Sequence, residues 1–169
     1  GMNPAVISRA ILTRLKADST LWSGGAWTSA LAGGAAWPKG DPTVSPTFPN
    51  IVWGVEWTAD NAFSGIMGEG TVTFAIFDVL GSAGTDRLEV LIDRLIGDAM
   101  LASGSRTTPT YGFHNHLLAL PSLGSTNVQG AVASEMNYTG CTLQPGDTDT
   151  TLTATVTFNI RTSNRSEEH

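Results

Sequence analysis

The sequence holds one cysteine, Cys141, among 169 residues. A single thiol closes no internal disulfide and supplies no metal quartet, which excludes a disulfide scaffold and a zinc ribbon and makes a reducing compartment the default expectation. Charge is scarce too: 14% of the residues are Asp, Glu, Lys or Arg, against about 25% in ordinary soluble domains. The charge present leans acidic, with 9 basic residues, 15 acidic ones and a formal net charge of −6. Without a basic stripe the chain has no means of releasing counterions from phosphates, so specific nucleic-acid binding is not expected. No apolar run approaches the ~18 residues of a membrane helix, and the N-terminus lacks a basic segment followed by an apolar one. No membrane partner is therefore expected, and Gly1 before Met2 reads as a cloning scar. Catalytic signatures are missing as well. There is no Walker loop, G-x-S-x-G, H-E-x-x-H or C-x-x-C, and the chain is expected to be no enzyme and to carry no cofactor.

The polarity that is present comes from Thr, Ser, Gly and Asn. A neutral polar surface is easier to bury against a copy of itself than one covered in Lys and Glu, so self-association is favoured. The length fits one domain, expected over residues 3–162, with a polar, disordered tail at 163–169.

The N-terminus reads as a short amphipathic helix from Asn3 to Ala17. Asn3 can cap it, Pro4 suits its first turn, and Ile7, Ile11 and Leu15 recur at four-residue spacing. Residues 18–50 carry no sustained period and form a long Trp/Gly/Pro-rich loop. Trp22, Trp27 and Trp37 stand among glycines, and Pro38, Pro42, Pro46 and Pro49 follow. Indoles either anchor such a loop on a groove or neighbouring subunit, or fold back on the core of their own chain. Asn50 to Trp57 and Thr71 to Val79 alternate as strands, with Gly65 to Gly70 a turn between them. After Gly81 to Gly84, Thr85 is placed to cap a second helix carrying Asp86 and Glu89 in its first turn. Leu88, Leu91, Ile92, Leu95, Ile96 and Met100 follow its 3.6-residue period.

Further on, apolar residues return at Phe113, Leu117, Leu118 and Leu120. Ala131 to Cys141 and Thr151 to Arg161 read as two strands joined by a Pro145–Gly146 turn with Asp147 and Asp149 nearby. In the last strand Leu152, Ala154, Val156, Phe158 and Ile160 alternate with Thr151, Thr153, Thr155, Thr157 and Asn159. One face is core and the other a threonine ladder suited to water, a helix or a subunit contact. The expected class is α+β, a mostly antiparallel sheet with two helices packed on one face.

Three constellations could carry chemistry. Gly81 to Gly84, between a strand and a helix, could hold an anion at the helix N-terminus, but it lacks a lysine, and Asp78 and Asp86 would repel a phosphate. His114 and His116, if both lie on a strand, face the same way and could hold a metal with Glu135 as a third ligand; exposed polar strand positions are the ordinary reading. An acid–base pair could be drawn from Glu56, Glu69 and Glu135, although no spacing brings two of them together.

In the order of its elements the chain resembles the tail-terminator, or minor tail, proteins of long-tailed bacteriophages. The resemblance lies in the helix Pro4–Ala17 and in the entry Pro46-Thr47-Phe48-Pro49-Asn50 into the strand Ile51-Val52-Trp53-Gly54-Val55-Glu56. It continues in the strand Thr71–Val79, the helix Thr85–Met100 and the closing strand Thr151–Arg161. The long tryptophan-bearing segment 18–45 departs from the pattern. The resemblance implies a non-catalytic virion protein, in the phage tail or the host cytoplasm during assembly. It implies a homo-oligomer, usually a hexameric ring, that caps the tail tube, stops its polymerisation and presents a surface to the head-completion or connector protein. DNA would pass through without specific binding. Trp22, Trp27 and Trp37 are the subunit-contact candidates, and Asp147 and Asp149 are candidates for an acidic lining of the passage. Competing expectations are another phage ring protein, either a head-completion or a tail-tube subunit, and a small ligand-binding or enzymatic domain closed by the tryptophan loop.

Overall fold

The computed structural model describes residues 4–18, 49–59, 68–97, 111–119, 132–146 and 150–164. Two helices, α1 (Pro4–Ala17) and α2 (Ser82–Ile96), accompany five strands: β1 (Asn50–Ala59), β2 (Gly68–Val79), β3 (His116–Ala119), β4 (Val132–Pro145) and β5 (Thr151–Asn164). The strands form one antiparallel sheet in the order β1-β2-β5-β4-β3. The last strand therefore sits at its centre. This is the α+β arrangement that the sequence predicts.

The alternation in β5 explains its position. Leu152, Ala154, Val156, Phe158 and Ile160 are all buried on the inner face, joined there by Val72, Phe74 and Ile76 of β2 and Ile51 and Trp53 of β1. Both helices close this face, α1 through Ile7, Ile11 and Leu15, and α2 through Leu88, Leu91 and Leu95. Helix α1 packs against β1 and also against β3, the two edge strands. A flat five-strand sheet would hold those edges about 19 Å apart, so the sheet curls and α1 spans its opening. The Trp53 indole N–H donates to Ser8 Oγ at 3.2 Å and fixes α1 on β1.

Several boundaries differ from the sequence expectation. Helix α2 starts directly after Gly81, and Thr85 is its fourth residue; its hydroxyl bonds back to the Gly81 carbonyl at 2.8 Å and no side chain caps the helix. Asp86 and Glu89 consequently fall beyond the first turn. Strand β2 starts at Gly68, inside the expected turn, because Gly68, Glu69 and Gly70 pair with Ala59, Thr58 and Trp57. Strand β5 reaches Asn164, two residues into the expected tail, since Ser163 and Asn164 pair with Ala133 and Val132. Asn3 and Met100 lie outside the described residues, as does nearly all of the loop expected at 18–50.

The end of α2 is held by distant chain. Gly97 and Gly112 both have positive φ, at 106° and 84°, and their backbones touch: a Cβ on Gly112 would collide with the Gly97 backbone. The Phe113 and His114 N–H groups then donate to the Leu95 and Ile96 carbonyls at 2.8 and 3.0 Å, taking up acceptors that a helix end leaves open. Gly112→Ala combines backbone strain with this clash and should cost about 3 kcal/mol of folding stability. Urea titration checks it, and a loss below about 1 kcal/mol would show that the glycine contact is dispensable.

Candidate functional site

Two regions concentrate polar groups. The first lies where α1, α2 and residues 111–116 meet. Asp18, just past α1, receives Arg94 of α2 in a two-pronged ion pair, at 3.0 Å from Nε and 2.6 Å from Nη2. The pair is largely buried, and the Arg94 guanidinium stacks on the Tyr111 ring, 3.6 Å from its centroid. Arg14 Nε donates to the Gly112 carbonyl at 3.1 Å. Asp18 leads into residues 19–48, and Tyr111 follows residues 98–110. The cluster thus pins to the core the chain ends from which two long segments depart.

The histidines belong to this region, and the structure does not bring them together with Glu135. His114 lies in the turn before β3, and its Nδ1 accepts the Tyr138 N–H at 3.0 Å, so that lone pair is occupied. His116 is on β3 opposite Met136 and faces the inner side, whereas Glu135 is opposite Leu117 and faces the other. The three side chains do not converge, and among the described residues no group of three His, Cys, Asp or Glu could hold a metal. Burial, with Arg14 nearby, pushes the His116 pKa down to about 4. Burial lowers that of His114 as well.

The second region is the outer face of the sheet. Register places Thr71 and Thr73 of β2 beside Asn159 and Thr157 of β5, with Thr155 and Thr153 paired to Thr142 and Gln144 of β4. This is a broad neutral lattice of hydroxyls and amides. One charged row crosses it, where Glu69 and Glu135 flank Arg161 from either side. Register sets the backbones of these two residues about 10 Å apart with Arg161 on the strand between them, which is no acid–base pair. Glu56 sits opposite Thr71.

In the glycine turn at 81–84, residues 81–83 are exposed and Gly84 packs against the end of β2. Asp78 is fully buried at the end of β2 and accepts Arg87 Nε and Nη2, each at 2.7 Å, together with the Val79 N–H at 2.6 Å. A Cβ on Gly84 would collide with the Val79 carbonyl. Gly84 thus holds the first turn of α2 against its own strand, close to a buried carboxylate. Cys141 is half-buried, and burial raises its thiol pKa, which makes it a poor nucleophile.

No protein-family model matches the chain, and no curated protein sequence matches it. A solved structure does. The chain is similar to one in the virion of a native gene transfer agent particle, over 92% of its own length and 93% of the other chain, with a TM-score of 0.50 and 13% identity. The likeness is one of fold. No helix among the described residues is long and apolar enough to cross a membrane.

Trp22, Trp27, Trp37, Asp147 and Asp149 lie outside the described residues. The Asp18–Arg94–Tyr111 cluster was not legible beforehand, because its members are far apart in sequence and belong to no periodic pattern. The basic residue in the last turn of α2 was the one local signal.

The histidines predict a pH dependence. Their folded pKa values lie below the ordinary 6.5, so the unfolded chain binds protons first. Their stabilising contribution is complete above pH 6.5 and is lost as pH falls towards 4. Urea midpoints measured across this window should decline, and in His116→Gln the decline should be shallower. An unchanged slope would remove His116 from the account.

Proposed function

We propose that this chain is a structural subunit of a phage-like virion, and specifically a tail terminator: a ring that caps the tail tube, stops its growth and offers a joining surface to the head. The reading is carried by the shared fold with a chain of a gene transfer agent virion, which spans nearly the whole of both molecules. The composition supports it. A net charge of −6 with only 14% charged residues suits a subunit whose surfaces are buried against copies of itself. Apart from the Glu69–Arg161–Glu135 row, the threonine lattice that β2, β5 and β4 present on the outer face can be covered without desolvating charge. No role in this reading is catalytic, and none requires a cofactor.

Six copies would form the ring, in contact with the tube protein on one side and a head-completion protein on the other. Light scattering after size exclusion, with negative-stain images of the same peak, should show annular particles. Added to polymerising tube protein, the chain should fix tube length. Long filaments formed by the chain alone would assign it to the tube instead, and a monomer that leaves tube length unchanged would overturn the terminator reading. Alanine at Trp22, Trp27 and Trp37 should reduce the annular fraction more than it lowers the melting temperature; the reverse order returns these residues to the core.

Asp147 and Asp149 would line the passage, where repulsion keeps DNA moving without sticking. Asp147→Lys with Asp149→Lys should raise DNA retention by the assembled particle at low salt. Unchanged retention would take both residues out of the lining.

A further inference from the structure

Strand β3 has four residues and pairs with Ala133–Met136, whereas β4 runs for fourteen. Beyond Met136, one side of β4 has no neighbouring strand among the described residues. A side chain closes the start of this free edge, where the Tyr138 N–H donates to His114 Nδ1. The register with β5 then shifts between Tyr138 and Gly140. Past the shift, Gly140, Thr142 and Gln144 pair with Thr157, Thr155 and Thr153. The Thr157 carbonyl points towards β4, since the Thr139 hydroxyl donates to it at 3.0 Å. The alternation of an antiparallel ladder therefore turns the peptide groups of Cys141 and Leu143 outward, away from β5.

Pro145 fits the same alternation. It takes the next outward position, where a missing N–H removes nothing from the ladder. Between the bulge and this proline lies a short stretch that no described strand covers. From Thr139 to Gly146 there is no charged residue, Thr142, Leu143, Gln144 and Pro145 are exposed, and the apolar Leu143 is 40% exposed. Edge strands are commonly protected by charges, bulges or proline; here the bulge and Pro145 guard the two ends, and no charge guards the residues between them.

We propose that this edge pairs with itself: β4 of a second copy lies antiparallel to β4 about a two-fold axis through Thr142. The two free segments have equal length, and the symmetry supplies the opposite direction. In this register the peptide groups of Cys141 bond to those of the partner subunit's Leu143, and the converse pair follows, so neither residue keeps an unused outward group. Thr142 meets the partner subunit's Thr142 on the outer face. Leu143 covers the partner subunit's Cys141 on the inner face, an apolar cross-strand pair. No like charges meet, because the segment has none. A two-fold contact closes on itself and so does not rest on the ring reading, which needs head-to-tail surfaces elsewhere.

Thr142→Cys in a Cys141→Ser background places one thiol per chain at the axis, where a closely spaced antiparallel pair has Cα atoms about 4.5 Å apart, within disulfide reach. Mild oxidation should convert it to a linked dimer on a denaturing gel, while Gln144→Cys in the same background should remain single chains. Leu143→Pro removes one outward N–H, and Leu143→Lys adds a charge. Each should weaken the dimer at least about tenfold in light scattering, with a melting temperature close to that of the parent. Failure of the Thr142→Cys link together with unchanged association of both Leu143 variants would overturn the pairing. If annular particles still formed, that result would leave the ring reading intact. A parent protein that is monomeric at every concentration tested would overturn the pairing whether or not it arrests tubes.

Discussion

Phe74 is the residue around which the sheet closes. Its ring lies 6.1 Å from Trp53 on β1, 5.8 Å from Phe158 on β5 and 5.4 Å from Phe113 in the turn before β3. Phe158 in turn lies 6.0 Å from both Phe113 and Tyr138, which brings in β4. One aromatic chain thus reaches from one edge strand to the approach of the other, with the tilted and edge-on geometries that ring quadrupoles favour. Such contacts are possible only because the sheet curls. The curl is also what lets a single helix, α1, rest on both edges.

From this closure the division of labour follows. Among the described residues the inner face is occupied by apolar side chains and two helices. Among the described residues, the outer lattice, the strand edges and the solvent-facing sides of the helices are what remain open to a partner. Buried polar groups in the described core are nearly all committed: Asp78 to Arg87, Asp18 to Arg94, Ser8 to Trp53. Asn50 Oδ1 and Trp57 Nε1 are the buried side-chain polar atoms without a bond among the described residues, and both are on β1. Such commitments hold a scaffold rigid and contribute little that is reactive.

Much of this was legible in the sequence, wherever a side-chain period reported on burial. The threonine alternation of Thr151–Arg161 placed one face of β5 in the core and left the other polar. The Leu88, Leu91 and Leu95 spacing placed the buried side of α2. Strand order was not legible, because pairing between β2 and β5 depends on packing across about 80 residues of sequence, and no local pattern encodes it. The placement of the histidines was not legible for a related reason. His114 and His116 are two apart, a spacing that implies one face only if both lie on a strand. The tight approach of Gly112 to Gly97 keeps His114 in a turn. The helix cap misled because Thr85 is a good capping residue, but glycine can turn the chain sooner.

The glycine contact at the end of α2 has one more consequence. Residues 98–110 leave and return at the same point, since Gly97 and Gly112 touch backbone to backbone. Their ends are held together by the core whatever lies between them. Lengthening such an excursion costs little, about 0.6 kcal/mol for each doubling. Evolution can therefore lengthen, shorten or replace this segment without refolding the rest. It is the natural place for related chains to differ and for an engineer to insert a tag or a second domain.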